Sequence, residues 1–305
     1  MIWEIILGFQ YVVIAIGIAS QCLLLNYMVL KPALELCARS AIAVLSISMV
    51  YVLLFFGCET FVCLLTGTMF EDEICTAQSG KLMLYSFREY FQVVIVQSHL
   101  TFTVERLISI KAPTLHKTQK FKRYFHVTLL LQQCFALFYT YTDIAYPSTF
   151  NCFWLIFFHV LIIINWPIVI YTKTTCRSLY KAEVQRYDLA RKYELYKSYE
   201  ITKGLVNALV ANAGQQILTF LIVGLQYTGF FLPKDENDKI LFLLHLLWNS
   251  NIAVFSCVLL YSHRSSRIKI MAVQPKISLT SIDGTDISQR RTQQDHFQEL
   301  RNAWA

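Results

Sequence analysis

The sequence predicts an all-α membrane protein, a bundle of seven transmembrane helices. Hydrophobic residues make up 55% of the 305 residues and charged residues only 15%, whereas about 25% of residues are charged in a soluble domain. Seven predominantly apolar stretches have the roughly 20 residues that a helix needs to cross a bilayer. The formal net charge of +7 does not indicate nucleic acid as a partner, because the basic residues alternate with apolar runs and form no single patch.

The seven stretches define one transmembrane domain over residues 1–261, followed by a tail over residues 262–305. They lie near residues 5–30, 38–65, 81–110, 124–145, 152–171, 203–231 and 239–261. The long connection between the fifth and sixth stretches is rich in Lys, Arg, Glu and Tyr and contains no Gly or Pro. We therefore expect it to extend both helices into the cytosol.

Charge alternates along the connecting segments. The segments after spans one, three and five, together with the tail, carry 22 of the 27 Lys and Arg, and five of these lie between Lys111 and Arg123. The opposite segments contain the acidic run from Glu71 to Glu73 and few cations. Because cationic loops are retained on the cytoplasmic side, the amino terminus is predicted outside and the carboxy terminus inside.

The third span has a polar face. Its members are spaced mostly by three, four or seven residues, which gathers them on one helical stripe: Tyr85, Arg88, Gln92, His99, Thr103 and Arg106. Ionisable side chains within a span almost always face the bundle interior or a water-filled cavity, so we expect span three to be the central helix. Arg88 and Arg106 are about 27 Å apart along a helix, which puts one near each membrane face.

Candidate ligand-binding residues lie on spans three and seven. They are Tyr85, Arg88, Gln92, His245 and Asn249. A simpler alternative is that such polar side chains only join helices through hydrogen bonds. For Arg88 a plain interfacial role or a pairing with Asp143 of span four is an equally good interpretation.

Glu105 and Arg106 end the third span, immediately before the basic segment. A carboxylate beside an arginine can hold the cation while the helices are closed and release it when they open, as a receptor switch requires. The alternative is an ordinary interfacial arginine that extends its head group towards water. The position and the predicted topology favour the switch, so this pair is the candidate for an activation switch.

The cysteines suggest one bridge and no metal site. Cys75 precedes span three and Cys152 begins span five, so a disulfide between them would tie the outer ends of the two helices; a Cys152 too deep to reach Cys75 is the alternative. No paired Cys and His spacing of a zinc site occurs. We predict no metal, no cofactor and no catalytic residue.

Three segments resemble a known receptor family: HLTFTVERLISIKAPTLHKTQKFKR, YDLARKYELYKSYEITKG and the closing HFQELRNAW. They are similar to the nematode serpentine chemoreceptors of the alpha, beta and epsilon group, most closely to class epsilon. The resemblance implies a G-protein-coupled receptor in the plasma membrane of sensory-neuron cilia, which binds a small-molecule chemical cue and signals to a heterotrimeric G protein.

Only part of the rhodopsin-type switch pattern is present. Glu105 and Arg106 match the acid–Arg pair, but Leu107 stands where that pattern has Tyr, and WNSNIAVFSCVLLY contains no NPxxY. Of the pattern's switch residues, Arg106 alone therefore has a role that the resemblance carries over. The basic loops are also suited to contact anionic membrane lipid.

Two other classes of membrane protein are alternatives. A transporter or ligand-gated channel predicts internal repeats or charges at the membrane midplane; the sequence shows no repeat, and the charges of span three sit near its ends. An intramembrane enzyme requires catalytic residues at one depth, and His99, Asp143, His159 and His245 do not obviously converge. We therefore expect the chain not to be an enzyme.

Overall fold

The computed structural model describes residues 2–26, 35–66, 79–183, 201–211 and 237–262, with residues 195, 198, 199, 218, 221 and 222. This part of the chain is helical and contains no strand. The helices are α1 (Ile2–Leu24), α2 (Leu36–Thr66), α3 (Ser79–Lys111), α4 (Pro113–His116), α5 (Gln119–Ala145), α6 (Pro147–Glu183), α7 (Ile201–Ala211) and α8 (Asn237–Ser262). Most of the predicted sixth span, and the tail beyond Ser262, lie outside the described residues.

Four helices are long and apolar enough to cross a membrane by length and composition. These segments are Ile5–Leu24, Leu36–Thr66, Leu82–Lys111 and Phe242–Tyr261, which correspond to predicted spans one, two, three and seven. Large apolar side chains such as Leu65, Leu130 and Ile163 are exposed on the outer surface. Lipid tails are as apolar as leucine, so such a surface is typical of a helical membrane protein.

Two helices begin earlier than the hydropathy pattern predicts. The fourth stretch was expected from residue 124, but α5 starts at Gln119 because the side chain of Thr118 caps it, accepting a hydrogen bond of 3.2 Å from the Phe121 amide. The fifth was expected from residue 152, but α6 starts at Pro147, a residue whose fixed φ suits the first helical turn. At its other end α6 runs to Glu183, which confirms the predicted helical extension beyond Tyr171.

Helix α3 packs along α2, α5 and α6. Side-chain amides link it to α5: the Tyr90 hydroxyl donates to Gln133 Oε1 over 2.5 Å, and Gln132 Nε2 donates to Thr101 Oγ1 and to the carbonyl oxygen of Gln97. These glutamines thus join helices, as the simpler alternative for such polar side chains expects. Their contacts hold the polar face of α3 against its neighbours.

Helix α1 closes the bundle by packing between α2 and α8. A Cβ atom on Gly17 would lie 2.6 Å from Leu53 Cδ1, so any larger residue at this position would require the Leu53 side chain to shift. On the side of α8, the Ser20 and Ser256 hydroxyls are 2.5 Å apart. The buried apolar core that results draws most of its residues from α2, α7 and α8, with others from α1, α3, α5 and α6.

Candidate functional site

The carboxy-terminal end of α3, which the predicted topology puts on the inner side, carries a buried ion pair. Arg106 Nε and Nη2 each lie 2.6 Å from an oxygen of Glu105, Oε2 and Oε1 respectively. Both residues are buried, with only 1% of Glu105 and 4% of Arg106 exposed. Charge-assisted hydrogen bonds of this two-pronged kind are among the strongest that side chains form. Arg106 is therefore held away from solvent.

Two further residues, Glu35 and His116, contact this pair. Pro113 starts the short helix α4 directly after α3, and this turn brings His116 back beneath Glu105. His116 Nε2 lies 2.7 Å from Glu105 Oε1, while His116 Nδ1 lies 2.8 Å from Glu35 Oε2, just before α2. Glu35 Oε2 also lies 3.9 Å from Arg106 Nη2. We call Glu35, Glu105, Arg106 and His116 the inner cluster; it connects α2, α3 and α4.

Protonation of His116 balances the charges of the inner cluster. Burial lowers the pKa of His116, but hydrogen bonds to the Glu105 and Glu35 carboxylates outweigh this and raise its pKa to about 9. In return, the hydrogen bond from His116 lowers the pKa of Glu35 against the opposing effect of burial. At neutral pH two cations therefore face two carboxylates, and the cluster has no net charge.

The same residues could hold a divalent cation by distance alone. Ligand atoms of Glu35, Glu105 and His116 lie within 4.8 Å of one another. However, both Glu105 oxygens already accept hydrogen bonds from Arg106, and a metal requires a neutral imidazole. A metal ion would have to displace both Arg106 and the His116 proton. The geometry therefore favours a cluster of ion pairs over a metal site.

The amino-terminal half of α3, which the same prediction puts on the outer side, carries a second ion cluster around Arg88, which is 2% exposed. Arg88 Nη1 lies 2.8 Å from Glu59 Oε2 of α2, and Nη2 lies 3.4 Å from Glu89 Oε1. Nη2 is also 3.5 Å from His245 Nε2 of α8, and the guanidinium carbon lies 5.1 Å from the centre of the Tyr85 ring. We call Glu59, Tyr85, Arg88, Glu89 and His245 the outer cluster.

The structure brings together three of the five predicted ligand-binding residues: Tyr85, Arg88 and His245. Gln92 lies half-buried one turn further along α3. Asn249 is buried and donates from Nδ2 to the carbonyl oxygen of His245, 2.7 Å away in its own helix. The acidic partners of Arg88 are Glu59 and Glu89, rather than the Asp143 of the predicted alternative.

Sequence reasoning missed four of the acidic and histidine partners. Glu59 had a signal, because it is the only acid within predicted span two, and an acid in an apolar span requires a partner. Glu89 directly follows Arg88, so the sequence also indicated that these two side chains are close. Glu35 and His116 had no such signal, since the path of the α3–α4 turn brings them together.

The cysteines differ from the expected pattern. The predicted bridge falls on Cys75 and on the side chain of Cys152, both outside the described residues. Cys63, near the end of α2, is disulfide-bonded, which the sequence analysis did not foresee. Six other described cysteines form no disulfide: Cys22, Cys37, Cys58, Cys134, Cys176 and Cys257. Disulfides persist in oxidising compartments.

Comparison with known proteins assigns no family to the chain. No protein-family model matches it, and no curated protein matches it significantly. The function is therefore inferred from the residues and their geometry.

Proposed function

We propose that this chain is a chemosensory G-protein-coupled receptor with seven transmembrane helices and an extracellular amino terminus. Beyond the four most apolar helices, α5 with 27 residues and α6 with 37 residues are also long enough to cross a bilayer. Leu131, Leu137 and Phe138 lie exposed on the outside of α5, as expected of a lipid-facing surface. The sixth crossing would begin with α7.

Two observations support the proposed orientation. The disulfide of Cys63 favours an outside location for the end of α2. The five cations between Lys111 and Arg123 follow the end of α3, and cationic loops remain in the cytosol. The inner cluster then faces the cytoplasm, where a G protein would bind.

The inner cluster is the observation that carries the proposal. It ties the start of α2 and the loop helix α4 to Arg106, so separating these elements would break several charge-assisted contacts together. A receptor needs two arrangements whose contacts differ, because a ligand shifts an equilibrium only through different affinities for the two states. In the closed arrangement Arg106 is hidden; in the open one it would be available to the G protein.

The proposed cue binds in the outer half of the bundle, near Tyr85 and His245. Arg88 connects α2, α3 and α8 there, so a molecule that competes for Arg88 would alter the packing of α2 against α3. Both helices continue to the inner cluster. The two clusters are therefore connected by two continuous helices, α2 and α3. Coupling between distant sites requires such shared rigid elements.

The proposal is tested by measuring G-protein activation without any added cue. We expect Glu105→Gln and His116→Ala to raise basal nucleotide exchange on the coupled Gα subunit, because each weakens the closed arrangement. Arg106→Ala should abolish both basal exchange and any response to a panel of volatile and soluble chemicals. His126→Ala is the matched control, because His126 is exposed on α5, outside the inner cluster.

Three outcomes would contradict the proposal. A cue-evoked response that survives in Arg106→Ala removes the assigned role of this residue. A cue-evoked current in cells without G proteins favours a ligand-gated channel. Epitope tags that place residues 111–123 outside, or that count an even number of crossings, reverse the topology on which the proposal depends.

A further inference from the structure

A small cavity lies among α2, α3, α6, α7 and α8. Its volume is about 40 Å³. One water molecule needs about 10–15 Å³ of such a volume, so the cavity has room for at most about three water molecules. On α3 the cavity extends from Ile95 to His99, between Arg88 and Arg106, and most of its wall is apolar.

Three polar atoms at this cavity have no hydrogen-bond partner among the described residues. They are His99 Nδ1 of α3, Asn165 Oδ1 of α6 and Trp248 Nε1 of α8, and each is buried. Asn165 as a whole is only 4% exposed. Buried polar atoms in proteins are nearly always hydrogen-bonded, either to protein or to ordered water. The cavity is therefore where a partner of these three atoms would lie.

Water matches the three atoms in its hydrogen-bonding capacity. Trp248 Nε1 only donates, Asn165 Oδ1 only accepts, and His99 Nδ1 does either according to its tautomer. A water molecule that accepts from the indole and donates to the amide oxygen still has a donor and an acceptor for the imidazole. Buried water molecules typically make about three hydrogen bonds. The three side chains thus supply enough partners for one water molecule, or for the ends of a short chain of them.

We infer that this cavity is a binding site for water, which bridges α3, α6 and α8 through His99, Asn165 and Trp248. Asn165 lies just before Pro167, which removes one internal hydrogen bond of α6. At a proline in a membrane helix, neighbouring helices and ordered water restore the lost contacts. Water-mediated hydrogen bonds are nearly as favourable as direct ones, so the bridge holds α6 against α3 and α8 beside this weak point.

The test detects bound water at the indole N–H of Trp248. The chain contains five Trp, so the purified protein in lipid nanodiscs, labelled with ¹⁵N at tryptophan, gives few indole resonances. Trp248→Phe and Trp166→Phe each identify one resonance by its loss. Trp166 is the internal control, because it is next to Asn165 in sequence and half-buried but does not line the cavity.

We expect a dipolar cross-peak between water and the Trp248 indole proton in a rotating-frame experiment, where its sign separates bound water from proton exchange. Trp166 should show no such peak. Asn165→Leu should weaken the Trp248 peak, because the water loses its acceptor on α6.

Filling the cavity should remove the peak altogether. Val96 is part of the cavity wall, so the larger side chain of Val96→Phe should displace the water. Val160→Phe is the matched control, because Val160 is 44% exposed on α6 and does not line the cavity. The Trp248 peak should remain in this control.

The inference is overturned if Trp248 shows no cross-peak with water, or if Trp166 shows one of equal size, which would indicate water throughout the bundle. An unchanged peak in Asn165→Leu also overturns it, since α6 would then take no part in the bridge. The comparison of Trp248 with Trp166 in the unaltered protein decides the question even if a variant fails to fold. None of these measurements involves nucleotide exchange, so this inference and the proposed function stand or fail separately.

Discussion

The inner and outer clusters are built from the same parts but differ in their access to water. Each centres on a buried arginine of α3, next to a glutamate of α3, a second glutamate on or just before α2, and a histidine. The outer glutamate of α2, Glu59, has a side chain that is 10% exposed. Glu35, its counterpart in the inner cluster, is 40% exposed.

The two histidines differ in a second way. His245 lies on the long helix α8, whereas His116 lies on α4, a helix of only four residues between α3 and α5. A short loop helix with few neighbours opens locally at lower free energy than a helix packed within a bundle. We therefore expect the same charges to form a permanent connection in the outer cluster and a connection that can open in the inner cluster.

The largest effect is expected from Arg88→Met in the outer cluster. It leaves the Glu59 and Glu89 carboxylates inside the bundle without their guanidinium, and removing one partner of a buried pair costs about 3–5 kcal/mol. Thermal unfolding in detergent should show a large fall in Tm. The double variant Arg88→Met with Glu59→Gln should recover much of it; if it is as unstable as the single variant, the pairing is not the cause.

A smaller and local effect is expected from His116→Ala in the inner cluster. Hydrogen bonds to charged groups contribute about 1.5–3 kcal/mol, and here the loss should appear as local opening. Amide hydrogen exchange of residues 112–118 should accelerate by at least about tenfold, with little change in residues 85–92. The matched variant His126→Ala should change neither region, and equal acceleration at both ends of α3 would contradict the distinction between the clusters.

A pH dependence is expected at the inner cluster. The folded pKa of His116, about 9, lies above the ordinary value of about 6.5. Its stabilising contribution is therefore complete below about pH 6.5 and is lost as the pH rises through about 9. We divide the amide exchange rate of residues 112–118 in His116→Ala by the rate in the unaltered chain. This ratio should fall towards one above pH 9. A ratio that stays constant from pH 6 to pH 10 would mean that the imidazolium does not hold the cluster.

The smallest effect is expected from Glu89→Gln. Glu89 contacts Arg88 at 3.4 Å, whereas Glu59 contacts it at 2.8 Å and remains in the variant. We expect thermal unfolding to show a loss of about 0.5–1.5 kcal/mol in the free energy of unfolding, the size of one ordinary hydrogen bond. Glu105→Gln, at the matching position beside Arg106, should destabilise more because it replaces two contacts of 2.6 Å. If Glu89→Gln lowers the stability more than Glu105→Gln does, the outer cluster depends on Glu89, the acid next to Arg88.

Local patterns in the sequence were sufficient for the helical architecture and for part of the site. Hydropathy identified α1, α2, α3 and α8 as the membrane-crossing candidates, and helical periodicity placed Tyr85 and Arg88 on one face. Helix ends were less predictable, because capping by Thr118 and the start at Pro147 depend on single residues that a hydropathy window averages out.

The amino-acid sequence by itself determined that the chain is helical, that its apolar segments suit a bilayer, and that Glu105 and Arg106 are neighbours. These properties depend on composition and on the 3.6-residue period, which are local. The tertiary structure alone decided that Arg88 meets Glu59 and His245, 29 and 157 residues away, and that His116 folds back onto Glu105. It also decided that His99, Asn165 and Trp248 surround one cavity. Such contacts depend on the relative rotation of packed helices and on the path of loops, and no single segment of the sequence specifies either.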